Sequence, residues 1–137
     1  MPTPRTQLEA NVVNGKIYLI GSRTGGQYFT VGLNEAYDPA TDSWTTKVPI
    51  PYPVVQYASA VVADKIYIIG GQDEYAYPMN LDIVQIYNPV TDTWRFGAPM
   101  PNVVWQAAAG VTSNVWTPKR IYVFAGVPEK RYHFRYI

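Results

Sequence analysis

Apolar residues in this chain come in short runs of four to six, divided by turn residues, and no stretch of twelve carries them at helical spacing. The clearest stretch is residues 58–96. Ala58-Ser59-Ala60-Val61-Val62 is small and apolar, which suits a strand in a crowded place. Ala63-Asp64 is a short turn. Lys65 to Ile69 is β-branched and aromatic, as strands are, and Gly70-Gly71 breaks it. Asp82 to Tyr87 alternates in part, and Asn88-Pro89 stops it because proline has no amide hydrogen for a ladder. Val90-Thr91-Asp92 then turns into a strand opening on Trp94. The pattern predicts four short strands: small-apolar, Ile-Tyr, one ending in Tyr and one opening on Trp.

The unit repeats. Tyr37-Asp38-Pro39-Ala40-Thr41-Asp42-Ser43-Trp44 returns as Tyr87-Asn88-Pro89-Val90-Thr91-Asp92-Thr93-Trp94. Ile17-Tyr18-Leu19-Ile20-Gly21 returns as Ile66-Tyr67-Ile68-Ile69-Gly70-Gly71, and again as Ile121-Tyr122-Val123-Phe124-Ala125-Gly126. Pro2, Pro51 and Pro101 correspond, as do Gln7, Gln56 and Gln106. A fixed period near fifty residues marks a repeat architecture, in which each unit buries its faces on its neighbours. The third copy is stretched around Thr112 to Pro118, where a hairpin loop absorbs length at small entropic cost.

A strand ending in paired glycines, a Tyr-Asp-Pro turn and a spaced Trp together resemble the kelch repeat, from Pro2 to about Gly126. Gly21-Ser22 and Ala125-Gly126 depart from the glycine pair. Arg5 matches the arginine that often opens a kelch repeat, while Val54 and Val104 replace it in the next two units. The resemblance implies an all-β fold: kelch-type β-propeller blades of four-stranded antiparallel sheets. The units expected are a first blade at 1–49, a second at 50–98 and a partial, atypical third at 99–137. The residues of the signature are expected to be structural, with Trp44, Trp94, Tyr18, Tyr67 and Tyr122 packed between blades. Propellers close with about four to eight blades, so these 137 residues form an incomplete ring by themselves. Met1-Pro2 aligns with Ile50-Pro51 and Met100-Pro101, as an internal methionine at a repeat boundary would. Residues 132–137 alternate in character and suit a third strand of the last blade, with no Trp strand after it.

Charge and composition narrow the chemistry. Eleven basic residues balance ten acidic ones, which argues against a dedicated nucleic-acid surface. The one basic cluster, Lys130-Arg131 with Arg135, reads as an edge strand kept soluble by charge. No apolar run is long enough to insert in a membrane. Low charge with many Tyr, Thr and Asn residues favours an extracellular or cell-surface β-protein. With no cysteine and one histidine, His133, thiolate catalysis and cysteine-ligated zinc are excluded and no cofactor is expected. The galactose-oxidase-like copper enzymes, which share kelch-type repeats, need histidine ligands and a cysteine-linked tyrosine that this chain lacks. Asp38, Asp42 and Asp92 read as turn caps. Asp73-Glu74, the one adjacent carboxylate pair in a loop, reads as solvated, with a cation or basic partner as the alternative.

Two sets of candidate binding residues remain. The loops joining the second strand to the third differ between units while their flanks repeat, and they are rich in tyrosine. Rigid scaffolds commonly display binding loops, and tyrosine gives contact area at low entropic cost. The resemblance implies that these loops form the recognition face, which selects Arg23, Tyr28, Asp73, Tyr75 and Tyr77. Gln7, Gln56 and Gln106 each precede an Ile-Tyr strand, and kelch geometry implies a place at one mouth of the central channel. Their amides would either join blades or bind a small polar ligand, with Trp105 and Tyr57 as stacking surface. The expected function is therefore a non-enzymatic module that recognises protein, or carbohydrate. The alternatives are a subunit that self-associates through open blade edges and a fragment of a carbohydrate-active propeller enzyme.

Overall fold

The computed structural model describes every residue except 26–29, 76–78, 115–116, 128–129 and 137. Thirteen strands and no helix occur among the described residues. In chain order they are β1 (Arg5–Thr6), β2 (Ala10–Val13), β3 (Lys16–Ile20), β4 (Arg23–Thr24), β5 (Asn34–Asp38), β6 (Ser43–Thr46), β7 (Ala58–Val62), β8 (Lys65–Ile69), β9 (Val84–Asn88), β10 (Thr93–Phe96), β11 (Ala107–Asn114), β12 (Thr117–Val127) and β13 (Lys130–Tyr136). The first blade is the antiparallel sheet β2-β3-β5-β6 and the second is β7-β8-β9-β10. The third has three strands, β11-β12-β13, so it lacks the outer Trp strand, as its sequence predicts. The blades do not close into a ring.

Turn chemistry sets the hairpins. Asn14 and Gly15 join β2 to β3 with φ of 49° and 76°, the paired left-handed conformation of a type I′ turn. Ala63 and Asp64 make the same turn between β7 and β8, although neither residue favours it. In the turn after β5 the Ala40 amide donates to Asp38 Oδ1, and after β9 the Val90 amide donates to Asn88 Oδ1. These Asx turns reverse the chain into the Trp strand.

Period-two alternation gives each blade two apolar faces. In the first blade Val13, Tyr18, Ile20 and Ala36 are buried on one side. They meet Ile66, Ile68 and Tyr87 of the second blade, with Val61 and Trp94 at the margin. The opposite side of the second blade sends Ala60, Ile69, Val84 and Ile86 against Ala107, Ile121 and Val123 of the third. The cores therefore lie between blades, and no blade has a core of its own. The Tyr18 and Tyr87 rings meet across the first interface at 5.9 Å.

Main-chain bonds tie the blades together where they approach most closely. Ser22 N donates to Val54 O and Gly71 N to Val104 O, at 3.0 and 2.7 Å. Gly70 shows why this corner needs glycine: its φ is +64°, and a Cβ there would lie 2.4 Å from the Val104 carbonyl.

Candidate functional site

The small sheet β1-β4, which the strand pattern did not foretell, organises the candidate face. Arg5 pairs with Thr24 and Thr6 with Arg23. The second unit repeats the device as a single bridge, Val55 with Gln72. Each bridge ties the segment entering a blade to the loop between that blade's second and third strands. The two predicted sets are thereby brought onto one face, because Gln7 follows Thr6 and Gln56 follows Val55.

The glutamines join blades, and they do so through their backbone. Gln56 N donates to Gln7 O at 3.4 Å, and Gln106 N donates to Gln56 O at 2.8 Å. All three take left-handed φ, of 61°, 54° and 48°. That conformation turns the amide group of one toward the carbonyl of the one before. The side chains of Gln7 and Gln106 are exposed and that of Gln56 is half-buried. The joint between blades at these positions is thus made by the backbone. Trp105 is half-buried beside Gln106. Tyr57 is buried and serves the interface, its hydroxyl donating to Ile20 O at 2.5 Å. Burial holds its pKa far above 10.0, so it stays neutral.

The loops are cross-linked. Arg23 Nε donates to Glu74 Oε2 at 3.0 Å, Arg23 Nη2 pairs with Glu74 Oε1, and Thr30 Oγ1 donates to Glu74 Oε2 at 3.4 Å. Both partners of the ion pair are mostly covered. This bidentate link joins the first blade's loop to the second's, so Arg23 acts in this arrangement as a clamp between loops. Glu74, read from sequence as solvated, is its partner. The signal was present in the sequence: equivalent loops of adjacent units carry opposite charges. Asp73 Oδ1 accepts from the Tyr75 amide at 2.9 Å. Asp73 also meets the Tyr52 hydroxyl, whose pKa is raised by burial first and by this carboxylate second. Gln72 Nε2 donates to Asn80 Oδ1 at 2.8 Å and the Asp73 amide to Met79 O at 2.9 Å, which closes the base of the second loop. On that braced base Tyr75 stands 62% exposed, with Met79 also exposed. Tyr28 and Tyr77 lie outside the described residues.

No group of three or more His, Cys, Asp or Glu side chains placed to hold a metal occurs among the described residues. Behind the face, Arg5 is fully buried. It donates to the carbonyls of Gly21, Leu33 and Leu19 and pairs with Glu35 at 2.7 Å. It holds the strand end that carries the Arg23 loop, a structural role.

Comparison with known proteins agrees with this architecture. The kelch motif matches residues 53–101, which include the second blade. F-box protein AFR of Arabidopsis thaliana is 35% identical over 78 residues, covering 57% of this chain and 20% of that protein. Human Kelch repeat and BTB domain-containing protein 12 is 32% identical over 86 residues, covering 54% of this chain and 14% of its own length. Human Kelch-like protein 4 is 42% identical over 43 residues, covering 31% of this chain and 6% of that protein. The chain spans a fifth or less of the length of these curated relatives. The sequence period, the four-stranded sheets and these matches together support a kelch-repeat family, with the kelch motif itself matched at residues 53–101.

Proposed function

We propose that the chain recognises a protein partner through the face built from its second-to-third-strand loops and the glutamine turns, without catalysis. Kelch repeats are generally protein-interaction modules. The observation that carries the finer reading is the Arg23–Glu74 link. It braces two variable loops across a blade boundary and lifts an exposed tyrosine above them. A pre-braced loop loses little entropy on binding, and tyrosine supplies apolar area with a polar tip. Tyr75 is the central contact in this reading, Asp73 and Met79 flank it, and Gln56 and Gln106 form the channel side.

Peptide ligands selected against the immobilised chain test it. Their affinity for Tyr75→Ala is expected to fall about five- to thirtyfold, in keeping with about 1–2 kcal/mol for an aromatic contact. Affinity for Asp64→Ala, on the opposite face, is expected to stay unchanged. Ligands that respond to Asp64→Ala and ignore Tyr75→Ala would overturn the assignment. Selective binding on a glycan array, lost in Gln56→Ala and kept in Tyr75→Ala, would move the partner class to carbohydrate.

A further inference from the structure

The hairpins of the first two blades differ in the residues that turn them, and the difference is chemical as well as conformational. Asn14-Gly15 turns β2 into β3, where Ala63-Asp64 turns β7 into β8. Asparagine is thermolabile, because its side-chain carbonyl carbon lies within reach of the next residue's backbone nitrogen. A bulky or branched next residue hinders that approach. Asn11, Asn102 and Asn114 precede valine, Asn34 glutamate, Asn80 leucine, and Asn88 a proline that has no amide hydrogen to lose. Asn14 alone precedes glycine.

Asn14 and Gly15 are both exposed, and a Cβ built on Gly15 would meet no heavy atom within 4 Å. The hairpin closes through Val13 and Lys16, which leaves the Gly15 amide outside the ladder. The turn is one step from the reactive shape. A five-membered ring between Asn14 Cγ and Gly15 N needs Cβ to eclipse that nitrogen. This sets the Asn14 ψ to about −120°, the value at the first central residue of a type II′ turn. Asn14 already has the positive φ that both primed turns require there, at 49°. Passing from type I′ to type II′ rotates one peptide plane and takes the Gly15 φ from its present 76° to a negative value, which glycine adopts as readily. Both turns fit the twist of a two-residue hairpin, so the strands stay paired while the ring closes.

We infer that Asn14-Gly15 is a self-modifying site, at which the folded hairpin deamidates through a cyclic imide without an enzyme. The Gly15 nitrogen attacks Asn14 Cγ and the bond from Cγ to the side-chain nitrogen breaks. That nitrogen leaves as ammonia, taking the proton that Gly15 gives up. Water then opens the imide. Addition at Cγ gives aspartate, and addition at the Asn14 main-chain carbonyl carbon gives isoaspartate, in which the chain runs through the side chain. The two products differ in consequence. Asp-Gly is itself a type I′ sequence, so the hairpin persists. Isoaspartate adds one backbone atom to a link whose length sets the strand register. The adjacent Val13 is 3% exposed in the core between the first and second blades, so this product loosens that interface. Ala63 has no side-chain carbonyl and Asp64 no side-chain nitrogen, so the second hairpin has no ammonia to lose.

Peptide mapping by mass spectrometry tests this on the unaltered chain held at mildly alkaline pH. Amide-to-acid conversion is expected first in the peptide that carries Asn14, with the imide as precursor and with isoaspartate identified by enzymatic methylation of its free carboxyl. Rotating one peptide between two turns that hairpins favour costs little. The folded chain should therefore react within about tenfold of the urea-unfolded chain, a factor worth about 1.4 kcal/mol. A folded chain slower than that would overturn the proposal, because the turn would then protect the bond. So would conversion at another asparagine ahead of Asn14. Asn14→Gln removes the five-membered route and should abolish conversion in this peptide, and conversion that persists there would refute the assignment. The isoaspartate fraction, separated from the aspartate fraction, should unfold at lower denaturant. Equal midpoints would overturn the link to the blade interface.

Discussion

The first and second blades have nearly the same sequence pattern and solve the same packing problem differently. In the first, Arg5 enters from the strand before the blade and pairs with Glu35, its guanidinium fully covered. In the second, Val54 stands at the arginine position and Gln85 at the glutamate position. Gln85 binds the Tyr52 backbone twice, accepting from its amide and donating to its carbonyl. A neutral amide paired to the backbone of one residue replaces an ion pair spread over three carbonyls. Burying charge carries a desolvation penalty that a good partner only offsets, so the charged and the neutral solution can hold the same corner. The second contrast is coverage. Tyr87 is fully buried, and its hydroxyl donates to Asp92 at 2.5 Å. Asp92 in turn accepts from the Val48 amide, and Trp94 Nε1 donates to Val48 O at 3.0 Å. Tyr37, Asp42 and Trp44 keep the internal half of this arrangement, with Tyr37 donating to Asp42 at 2.7 Å. They have no preceding linker to clasp among the described residues. The motif thus does two jobs, closing its own turn and stapling the blade to the linker before it, and only the second blade shows both.

Exchanging the two solutions gives the largest expected effect. Arg5→Val alone strands Glu35 without its partner, and should cost about 3–5 kcal/mol in chemical denaturation. Arg5→Val with Glu35→Gln copies the second blade and should recover at least half of that. A double variant no better than the single one would show that the two corners are not interchangeable. Next is the glycine corner. Gly71 has φ +96°, and an added Cβ would lie 2.7 Å from the Val55 carbonyl, so Gly71→Ser should destabilise by about 2–3 kcal/mol. Ser22, its counterpart, holds φ 99° with a covered hydroxyl that lacks a hydrogen-bond partner. Ser22→Gly should therefore raise the melting temperature, and a fall would locate the strain elsewhere.

Smaller effects separate stapled from unstapled turns. Asp92→Asn should cost about 1–2 kcal/mol for weakened charge-assisted bonds, while Asp42→Asn should stay within about 0.5 kcal/mol. Burial works to raise the Asp92 pKa, yet the Tyr87 hydroxyl, the Val48 amide and Lys47 together hold it below 3.8. A depressed folded value means that this stabilisation is complete above the unfolded value near 4 and fades as pH falls through the folded one. Asp92→Asn should flatten the acid limb of the stability profile. At high pH the order reverses. Burial, then the bond to Asp92, raises the Tyr87 pKa well above 10.0, so its contribution is intact below pH 10 and declines as pH climbs toward the folded value. Tyr87→Phe should blunt that alkaline loss. The smallest change is in the hairpin turns. Giving Ala63-Asp64 the Asn-Gly sequence of the first blade should stabilise by about 0.5–1 kcal/mol, read as a shift in denaturation midpoint.

The strand pattern and the interblade packing of Tyr18, Tyr67 and Trp94 were legible in the residues, whereas Trp44 and Tyr122, expected to pack the same way, are absent from both interblade cores. What was legible depends on local rules: period-two alternation, proline and glycine as breakers, and aspartate or asparagine capping turns. The candidate face was legible in part. Variable loops between constant flanks marked it, but residue type alone gave Arg23 as a contact and Glu74 as solvated. Their pairing depends on two loops 51 positions apart in the chain meeting across a blade boundary. The glutamine positions were evident from their recurrence, and what they do was not. Side-chain chemistry pointed to the amides, whereas left-handed φ at each one hands the joint to the backbone.

By itself the sequence determined a repeated unit of four short strands with kelch-like turns, because local alternation and a fixed period need no knowledge of what packs on what. Only the tertiary structure decided which face of each blade is covered, which charges find partners, and that the loop and glutamine sets share one surface. Those outcomes follow from contacts between units. Identical motifs become different chemistry according to whether a neighbouring blade stands beside them.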